Sequence, residues 1–381
     1  MPIENILFSV AVLLLFAKIF GEIAEKLGVA SLVGELIGGI IVGPILGLVF
    51  VAGFLENFLT ISIVFLLFLA GLEVKFEDIR KYTYSASMLA LVGGLASFFL
   101  GFAVGMIFFN NLITAFAIGV VLISTSNGTL FLLLSKTGEF DSKIGRMIIA
   151  TTIADDIVGI IFLSFFAVFI KSQTFAVDSA FQMFLVSIGL YFVMFTAGSK
   201  FMNRFLNLVS RFVDENILFT VPIAFSLFMA YVTENLGLSI AAGSFLTGMA
   251  IANSQYSDSV IGPKVTVASN GLLIPLFYAT IGASLVFVNL DLILIIAIIV
   301  AAILGKVIGI GFMSRFFGIK GDHAKLFGII MIPRGNENIA IVQIILLLGV
   351  ISLQVYTSIL FAMVATVLLT PVLLKLFYKK F

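Results

Sequence analysis

Two adjacent aspartates, Asp155 and Asp156, lie in the middle of a long apolar segment at residues 144–170. Ionisable groups are costly inside an apolar medium, so they are rare there unless function requires them. Carboxylate oxygens suit small hard cations, and burial beside a like charge favours a proton on a carboxyl group. The pair therefore predicts a site that either a proton or a metal cation can occupy. Neighbouring helical residues point about 100° apart, so we expect the two side chains to face different partners.

Lys306 is a third charge within an apolar segment, at residues 290–314. A nearby carboxylate restores the charge of a buried lysine, so Lys306 is the natural counter-charge for one of the aspartates. Cation binding would then break the pair and release a proton. The alternative is a purely structural ion pair between two helices, and the sequence does not separate the two.

Polar residues also interrupt the apolar segment at 112–134, in the run Ser124-Thr-Ser-Asn-Gly-Thr129. Backbone groups freed by such a break cannot be satisfied by lipid, so breaks survive inside protein or beside water. We expect Thr125 and Ser126 to contribute uncharged oxygens to the ion site, with ordinary helix packing as the alternative. Asn127 is expected to stabilise the break.

A second interruption, Pro333-Arg-Gly-Asn-Glu-Asn338, lies in the apolar segment at 324–348. Arg334 and Glu337 are three residues apart and could pair across one helical turn. We interpret them as stabilising this broken helix rather than binding the ion directly.

The elements that must position these residues are membrane spans. The chain has 381 residues, of which 61% are hydrophobic and 11% charged, a composition typical of a polytopic membrane protein. Thirteen apolar segments are predicted, at residues 4–26, 29–51, 56–74, 82–109, 112–134, 144–170, 176–201, 216–235, 237–255, 266–287, 290–314, 324–348 and 352–377. The first is expected to be a retained span, because no basic residues precede it.

Composition also excludes several classes of chemistry. The chain has no cysteine and one histidine, His323, so thiolate and histidine-cluster metal sites are excluded. It carries no nucleotide motif and no catalytic triad. We therefore expect no enzyme, no cofactor and no nucleic-acid partner.

Basic residues predict the orientation of the spans. One set of alternate loops carries seventeen of the 21 Lys and Arg residues, and the opposite set carries only Lys171. Basic loops stay in the cytoplasm, which places the N-terminus outside and the C-terminus inside. That orientation requires an odd number of spans, in agreement with thirteen.

The two interruptions lie seven spans apart, in the fifth and twelfth segments. An odd offset gives opposite orientations, as expected of two inverted repeats, and broken helices at equivalent positions mark transporter sites. We predict one transmembrane transport domain over residues 1–381, with repeats at about 1–170 and 216–381 and a linker helix at about 176–201.

Several sequence motifs of this chain resemble those of the cation:proton antiporter family. They are Val33-Gly-Glu-Leu-Ile-Gly-Gly-Ile-Ile-Val-Gly-Pro44, Leu67-Phe-Leu-Ala-Gly-Leu-Glu73, Asp155-Asp156, Gly237-Leu-Ser-Ile-Ala-Ala-Gly-Ser-Phe-Leu-Thr-Gly248 and Pro333-Arg-Gly335. The resemblance implies an all-α membrane protein of the NhaA/NapA-like fold, with crossed broken helices in a core domain and a dimerisation domain that forms a homodimer. It also implies an integral protein of a prokaryotic cell membrane with a role in pH homeostasis.

Within that family the paired-aspartate branch is implied to exchange Na⁺ or Li⁺ for H⁺ electrogenically by alternating access. Asp156 then corresponds to the essential ion-binding acid, and Asp155 to the acid that pairs with Lys306. The family often has glutamate directly after Pro-Arg-Gly, whereas this chain has Asn336 there and Glu337 one residue later.

Three other transport functions stay open at this point. The first is K⁺/H⁺ exchange on the same fold, although we expect no soluble regulatory domain of the kind that potassium-efflux members carry. The second is a sodium-coupled symporter for an organic anion, for which only Arg334 and Lys306 could bind the substrate. The third is a gated channel without proton coupling.

Overall fold

The computed structural model of the protein describes residues 3–51, 54–74, 82–140, 142–172, 189, 193–210, 216–236, 238–287 and 290–378. Regular structure in these ranges is helical, and they contain no strand. The α-helices, numbered along the described chain, are α1 (Ile3–Lys26), α2 (Ser31–Ile40), α3 (Phe54–Leu72), α4 (Thr83–Phe109), α5 (Leu112–Val121), α6 (Asn127–Lys136), α7 (Lys143–Ser172), α8 (Ser199–Val209), α9 (Ile217–Asn235), α10 (Ile240–Ala252), α11 (Gly262–Ala268), α12 (Ile274–Ser284), α13 (Leu292–Lys306), α14 (Asp322–Ile330), α15 (Asn336–Leu347) and α16 (Leu353–Phe377).

Wider π-helical turns extend or join several of these helices. They lie at Ile41–Ile45, Met194–Gly198, Ser257–Ile261, Ser269–Leu273 and Val307–Phe312, and a 3₁₀ turn follows at Met313–Phe317. The π turn at 269–273 joins α11 to α12, and the π turn at 257–261 precedes α11, so that together they form one continuous span, Ser257–Ser284. This span begins well before the predicted segment at 266–287.

Seven continuous helical stretches within the described residues are long and apolar enough to cross a bilayer. They are Ile6–Lys26, Tyr84–Phe109, Lys143–Ile170, Ile217–Asn235, Ser257–Ser284, Leu292–Phe317 and Leu353–Phe377. Shorter apolar helices accompany them, including α5 and α15. Because most of the predicted segment at 176–201 lies outside the described residues, the total of thirteen spans stays a prediction.

The predicted boundaries are close to the observed ones where the apolar run is uninterrupted. Segment 82–109 corresponds to α4, and segment 144–170 corresponds to α7. The predicted division between the segments at 216–235 and 237–255 is also present, since α9 ends at Asn235 and α10 begins at Ile240. Gly237 itself lies outside the described residues.

The chain forms two compact units. The first unit comprises Met1–Leu14, Phe50–Glu77 and Ile160–Thr280, and the second comprises Leu15–Val49, Asp78–Gly159 and Ile281–Phe381. Each unit draws on both predicted repeats, so this division is not the boundary between them. The repeat arrangement stays a prediction.

The first unit is built on close contact between α3 and α10. A methyl group added at Gly248 of α10 would lie 2.2 Å from the backbone oxygen of Phe68 in α3, so glycine is required for the two backbones to meet. Apolar side chains from α3, α8, α10 and α11 surround this contact. The buried members are Phe68, Leu72, Met202, Leu206, Ala250, Ile251, Ile261 and Val265.

The second unit contains both interrupted segments, together with α4, α13 and α16. Its apolar core gathers buried side chains from α6, α14 and the start of α7, among them Leu133, Phe327 and Ile148. All of the charged residues singled out from the sequence as site candidates belong to this unit.

Candidate functional site

Both interrupted helices break, and both breaks begin before the polar residues that predicted them. Helix α5 ends at Val121 and α6 begins at Asn127, while α14 ends at Ile330 and α15 begins at Asn336. Asn127 therefore starts a new half-helix instead of lying in the middle of the break. Polar residues are suited to this position because the first backbone N–H groups of a helix lack intrahelical partners.

The two breaks lie directly against each other. The backbone N–H of Ser126 donates to the carbonyl of Pro333 at 2.8 Å. The buried amide of Asn338 donates to the carbonyls of Val121 and Ser124, at 2.8 and 2.9 Å, and its oxygen accepts from the N–H of Gly335 at 3.1 Å. Backbone groups that lipid could not satisfy are thus satisfied within the protein.

Arg334 is fully buried and stabilises the end of α14. Its Nη1 donates to the carbonyls of Met331 and Ile332, both at 3.1 Å, where a positive charge opposes the negative end of the helix dipole. The expected geometry of pairing with Glu337 across one helical turn is wrong, because Arg334 precedes the start of α15 at Asn336. Its guanidinium also reaches Ser97 and the carbonyl of Ala302, at 3.5 and 3.4 Å.

Asp155 forms a buried ion pair with Lys306. The lysine Nζ lies 2.7 Å from Oδ1 and 2.6 Å from Oδ2, and neither side chain is exposed. The hydroxyl of Thr125 lies 2.8 Å from Oδ2 of Asp155 and 3.0 Å from the carbonyl of Met331. A hydroxyl carries one proton, so it can donate to only one of these oxygens at a time.

Asp156 points to a different set of partners, as expected for its neighbour on the same helix. The amide nitrogen of Asn127 donates to Oδ2 of Asp156 at 2.8 Å and to Oε1 of Glu337 at 3.4 Å. The other amide atom, Oδ1 of Asn127, is buried and has no hydrogen-bond partner among the described residues. A buried, unsatisfied carbonyl oxygen beside a carboxylate is suited to bind a cation.

The remaining predicted site residue, Ser126, makes its side-chain hydrogen bond to a residue other than the two aspartates. Its hydroxyl donates to the hydroxyl of Thr129 at 3.1 Å. Sequence reasoning also missed Ser97 and Asn338 as site-forming residues. Asn338 belongs to the second polar interruption, whose amide side chain could have been recognised as a candidate to satisfy broken backbone, whereas nothing marks Ser97 of α4 in the sequence.

A glycine contact brings Lys306 to its partner. A methyl group added at Gly305 would lie 2.6 Å from both Cα and Oγ of Ser97, so only glycine allows α13 to approach α4 this closely. One turn further along, a methyl group added at Gly309 would likewise lie 2.7 Å from Cα of Gly93. Gly305 and Gly309 therefore form a close contact between α13 and α4, and this contact lies beside the ion pair.

The charged side chains of this site form a buried cluster, and their net charge determines which ions the cluster can bind. Asp155, Asp156 and Glu337 supply three carboxyl groups, and Lys306 and Arg334 supply two cationic groups, all buried. With every group ionised, one negative charge is in excess. A single proton or a single monovalent cation would neutralise it, and a buried cluster favours neutrality.

Comparison with known proteins agrees with this chemistry. Residues 11–380 match the family described as "Sodium/hydrogen exchanger, transmembrane". The chain is 27% identical over 377 residues to the Na(+)/H(+)-K(+) antiporter GerN of Bacillus cereus, covering 97% of this chain and 95% of the relative. It is 26% identical over 330 residues to an Na(+)/H(+) antiporter of Enterococcus hirae, covering 85% of each.

A solved structure shares the fold. The sodium proton antiporter MjNhaP1 from Methanocaldococcus jannaschii superposes with a TM-score of 0.73 at 16% sequence identity, covering 96% of this chain and 94% of that chain. The predicted all-α antiporter fold is confirmed by this similarity.

Proposed function

Because the chain belongs to the transmembrane sodium/hydrogen exchanger family, we propose that Asp156 and Asn127 form the site at which Na⁺ and H⁺ take turns. The protein is an integral membrane transporter that exchanges Na⁺ for H⁺. The observation that carries the site assignment is the buried oxygen of Asn127, which has no partner among the described residues and lies on the side chain that bonds Asp156. A sodium ion would bind this oxygen together with the carboxylate.

Proton and cation exclude each other at Asp156 for an electrostatic reason. The cluster carries one excess negative charge when all its groups are ionised, so it accommodates one positive charge at a time. A bound proton removes the charge that attracts the cation, and a bound cation occupies the oxygens that would hold the proton. This mutual exclusion is sufficient to couple the two fluxes when the site faces each side of the membrane in turn.

The ion pair between Asp155 and Lys306 supplies a second coupling element. Both charges are completely buried, and each is stabilised by the other. We expect Na⁺ at Asp156 to weaken the pair and allow Lys306 to release a proton, which would make exchange electrogenic. Electrogenic exchange, the homodimer and the outside location of the N-terminus belong to this proposal.

Potassium is a second candidate cation. The relative from Bacillus cereus is named an Na(+)/H(+)-K(+) antiporter, so K⁺ deserves a direct comparison with Na⁺ and Li⁺. We propose Na⁺ as the preferred ion, and the comparison uses equal concentrations of the three chlorides.

The experiment is cation-driven proton movement in proteoliposomes loaded with a pH-sensitive dye. We expect Na⁺ or Li⁺ to change the internal pH in the wild type and to have no effect in Asp156→Asn, which keeps the shape of the side chain but removes its charge. Asp258→Asn is the matched control, since Asp258 is an exposed aspartate of the first unit.

Folding of each variant is checked by circular dichroism and size-exclusion chromatography. Normal exchange in Asp156→Asn would overturn the site assignment. A response to K⁺ but not to Na⁺ would overturn the choice of cation while leaving the site intact.

A further inference from the structure

An apolar groove of about 530 Å³ opens on the second unit, and neither Asp155 nor Asp156 lines it. It is formed by the end of α13 with the following π turn, by α14 and by the last turns of α16. Its volume falls in the range of about 300–1,000 Å³ that ligand pockets occupy. Exposed Phe312 and Phe377, at 55% and 54%, line it together with Ile308, so its walls are suited to a hydrocarbon chain.

Two basic side chains, Arg315 and Lys325, also line this apolar groove. Arg315 lies in the 3₁₀ turn after α13, with its guanidinium carbon 5.7 Å from the centre of the Phe312 ring. Lys325 lies in the first turn of α14, and Asp322 lies 3.1 Å from its Nζ and partly offsets its charge. Both basic residues are exposed and belong to the loop predicted to be cytoplasmic.

The arrangement combines the two halves of one amphipathic ligand. Basic pockets between membrane helices on the cytoplasmic side bind anionic lipid head groups, and long basic side chains extend toward the interface while their stems cover apolar surface. A hydrophobic partner without charge would leave Arg315 and Lys325 unused, and a free anion would leave the apolar walls exposed.

We propose that this groove binds an anionic glycerophospholipid, with one acyl chain along Ile308, Phe312 and Phe377 and the phosphate between Arg315 and Lys325. The site is separate from the ion site and does not depend on the transport mechanism. Each basic residue near a membrane surface contributes about a fivefold gain in affinity for an anionic lipid. Because Asp322 partly offsets the charge of Lys325, the two together give between about fivefold and thirtyfold over a neutral lipid.

The chain contains no tryptophan, so a single introduced tryptophan reports on one position. Phe312→Trp places the reporter in the groove, and Phe377→Trp is a second reporter there in case the first does not fold. Phe99→Trp is the matched control, because Phe99 is 62% exposed on α4 and does not line the groove. Fluorescence is measured in vesicles of neutral lipid with increasing fractions of bromine-labelled phosphatidylglycerol or phosphatidylcholine.

We expect half-maximal quenching of the groove reporter at a mole fraction of brominated phosphatidylglycerol about fivefold to thirtyfold below that of brominated phosphatidylcholine. The control reporter should be quenched equally by both lipids. The preference should vanish in Arg315→Gln/Lys325→Gln, persist in Arg204→Gln, which removes an exposed charge of the first unit, and increase in Asp322→Asn.

Equal quenching of the groove reporters by both lipids would overturn the proposal. A preference for phosphatidylglycerol that survives loss of both basic residues would also overturn it. So would a preference that soluble glycerol phosphate abolishes at millimolar concentration, because the ligand would then not be a lipid bound in this groove.

Discussion

Replacing Lys306 by methionine tests the energetics of the buried ion pair. Lys306 and Asp155 have no exposed surface, and their charged atoms are 2.6 Å apart. Removing one partner of such a pair leaves an uncompensated buried charge and costs about 3–5 kcal/mol. Because both side chains are fully buried, solvent does not screen the pair, and we expect Lys306→Met to lose about 3–5 kcal/mol of unfolding free energy.

The double variant separates charge pairing from simple loss of packing. In Asp155→Asn/Lys306→Met neither buried charge is present, and the amide can still accept the Thr125 hydroxyl. We therefore expect the double variant to regain at least half of the stability that Lys306→Met loses. Lys200→Met, the loss of an exposed lysine, should change the unfolding free energy by less than about 0.5 kcal/mol.

The measurement is chemical unfolding in mixed micelles followed by the helical circular dichroism signal. A loss below about 1 kcal/mol in Lys306→Met would contradict the expected cost of an unpaired buried charge. The contrary outcome is a double variant that loses as much unfolding free energy as Asp155→Asn and Lys306→Met lose separately, added together. That result would show that the two residues are not coupled, and it would refute the account of the pair.

Four further outcomes are expected. Asn127→Ala should raise the Na⁺ concentration that gives half-maximal exchange by about tenfold or more. The reason is that the variant loses both a charge-assisted hydrogen bond to Asp156 and a proposed cation ligand. An unchanged half-maximal concentration in a Na⁺ titration would contradict this. Gly305→Ala should cost about 1–3 kcal/mol of unfolding free energy and slow exchange, because its methyl group would lie 2.6 Å from Ser97. The control is Gly128→Ala, whose methyl group would contact nothing within 4 Å. Equal effects of the two changes in unfolding and flux measurements would contradict the packing argument. Asn338→Ala should lower the unfolding free energy by about 3 kcal/mol or more, because three buried backbone groups lose a partner, and a loss below about 1 kcal/mol would contradict this. The half-saturating Na⁺ concentration should rise as the pH falls, by up to about tenfold per unit for the proton on Asp156 and by up to about a hundredfold where Lys306 also releases a proton, as mass action requires. A value independent of pH would show that proton and cation do not compete.

Much of the fold could be predicted from the sequence because lipid imposes a strong constraint. Uninterrupted apolar runs such as 82–109 and 144–170 correspond to α4 and α7, since every backbone group in a span must be satisfied within the helix. The two polar interruptions were recognisable for the same reason. Their limits were less clear, because Asn127 and Asn336 can either belong to a break or begin a new half-helix.

The charges of the candidate site were predictable from the residues themselves, and the pairing of Asp155 with Lys306 was expected from the family resemblance alone. Asp155, Asp156 and Lys306 are recognisable because charged residues within apolar segments are energetically costly and therefore rare. Which aspartate faces Lys306 depends on how α7 is rotated against α13, and that is determined by packing at Gly305 and Ser97. The bond of Asn127 to Asp156 likewise depends on where α6 begins.

The most direct test of the central claim is proton release on Na⁺ binding to the purified protein. Detergent-solubilised protein in weakly buffered solution receives NaCl, and a pH-sensitive dye reports the protons released, with choline chloride as the salt control. We expect the wild type and Asp258→Asn to release protons as Na⁺ saturates, and Asp156→Asn to release none from this site. Equal proton release by Asp156→Asn and the wild type would contradict the claim that Asp156 alternately holds the proton and the cation.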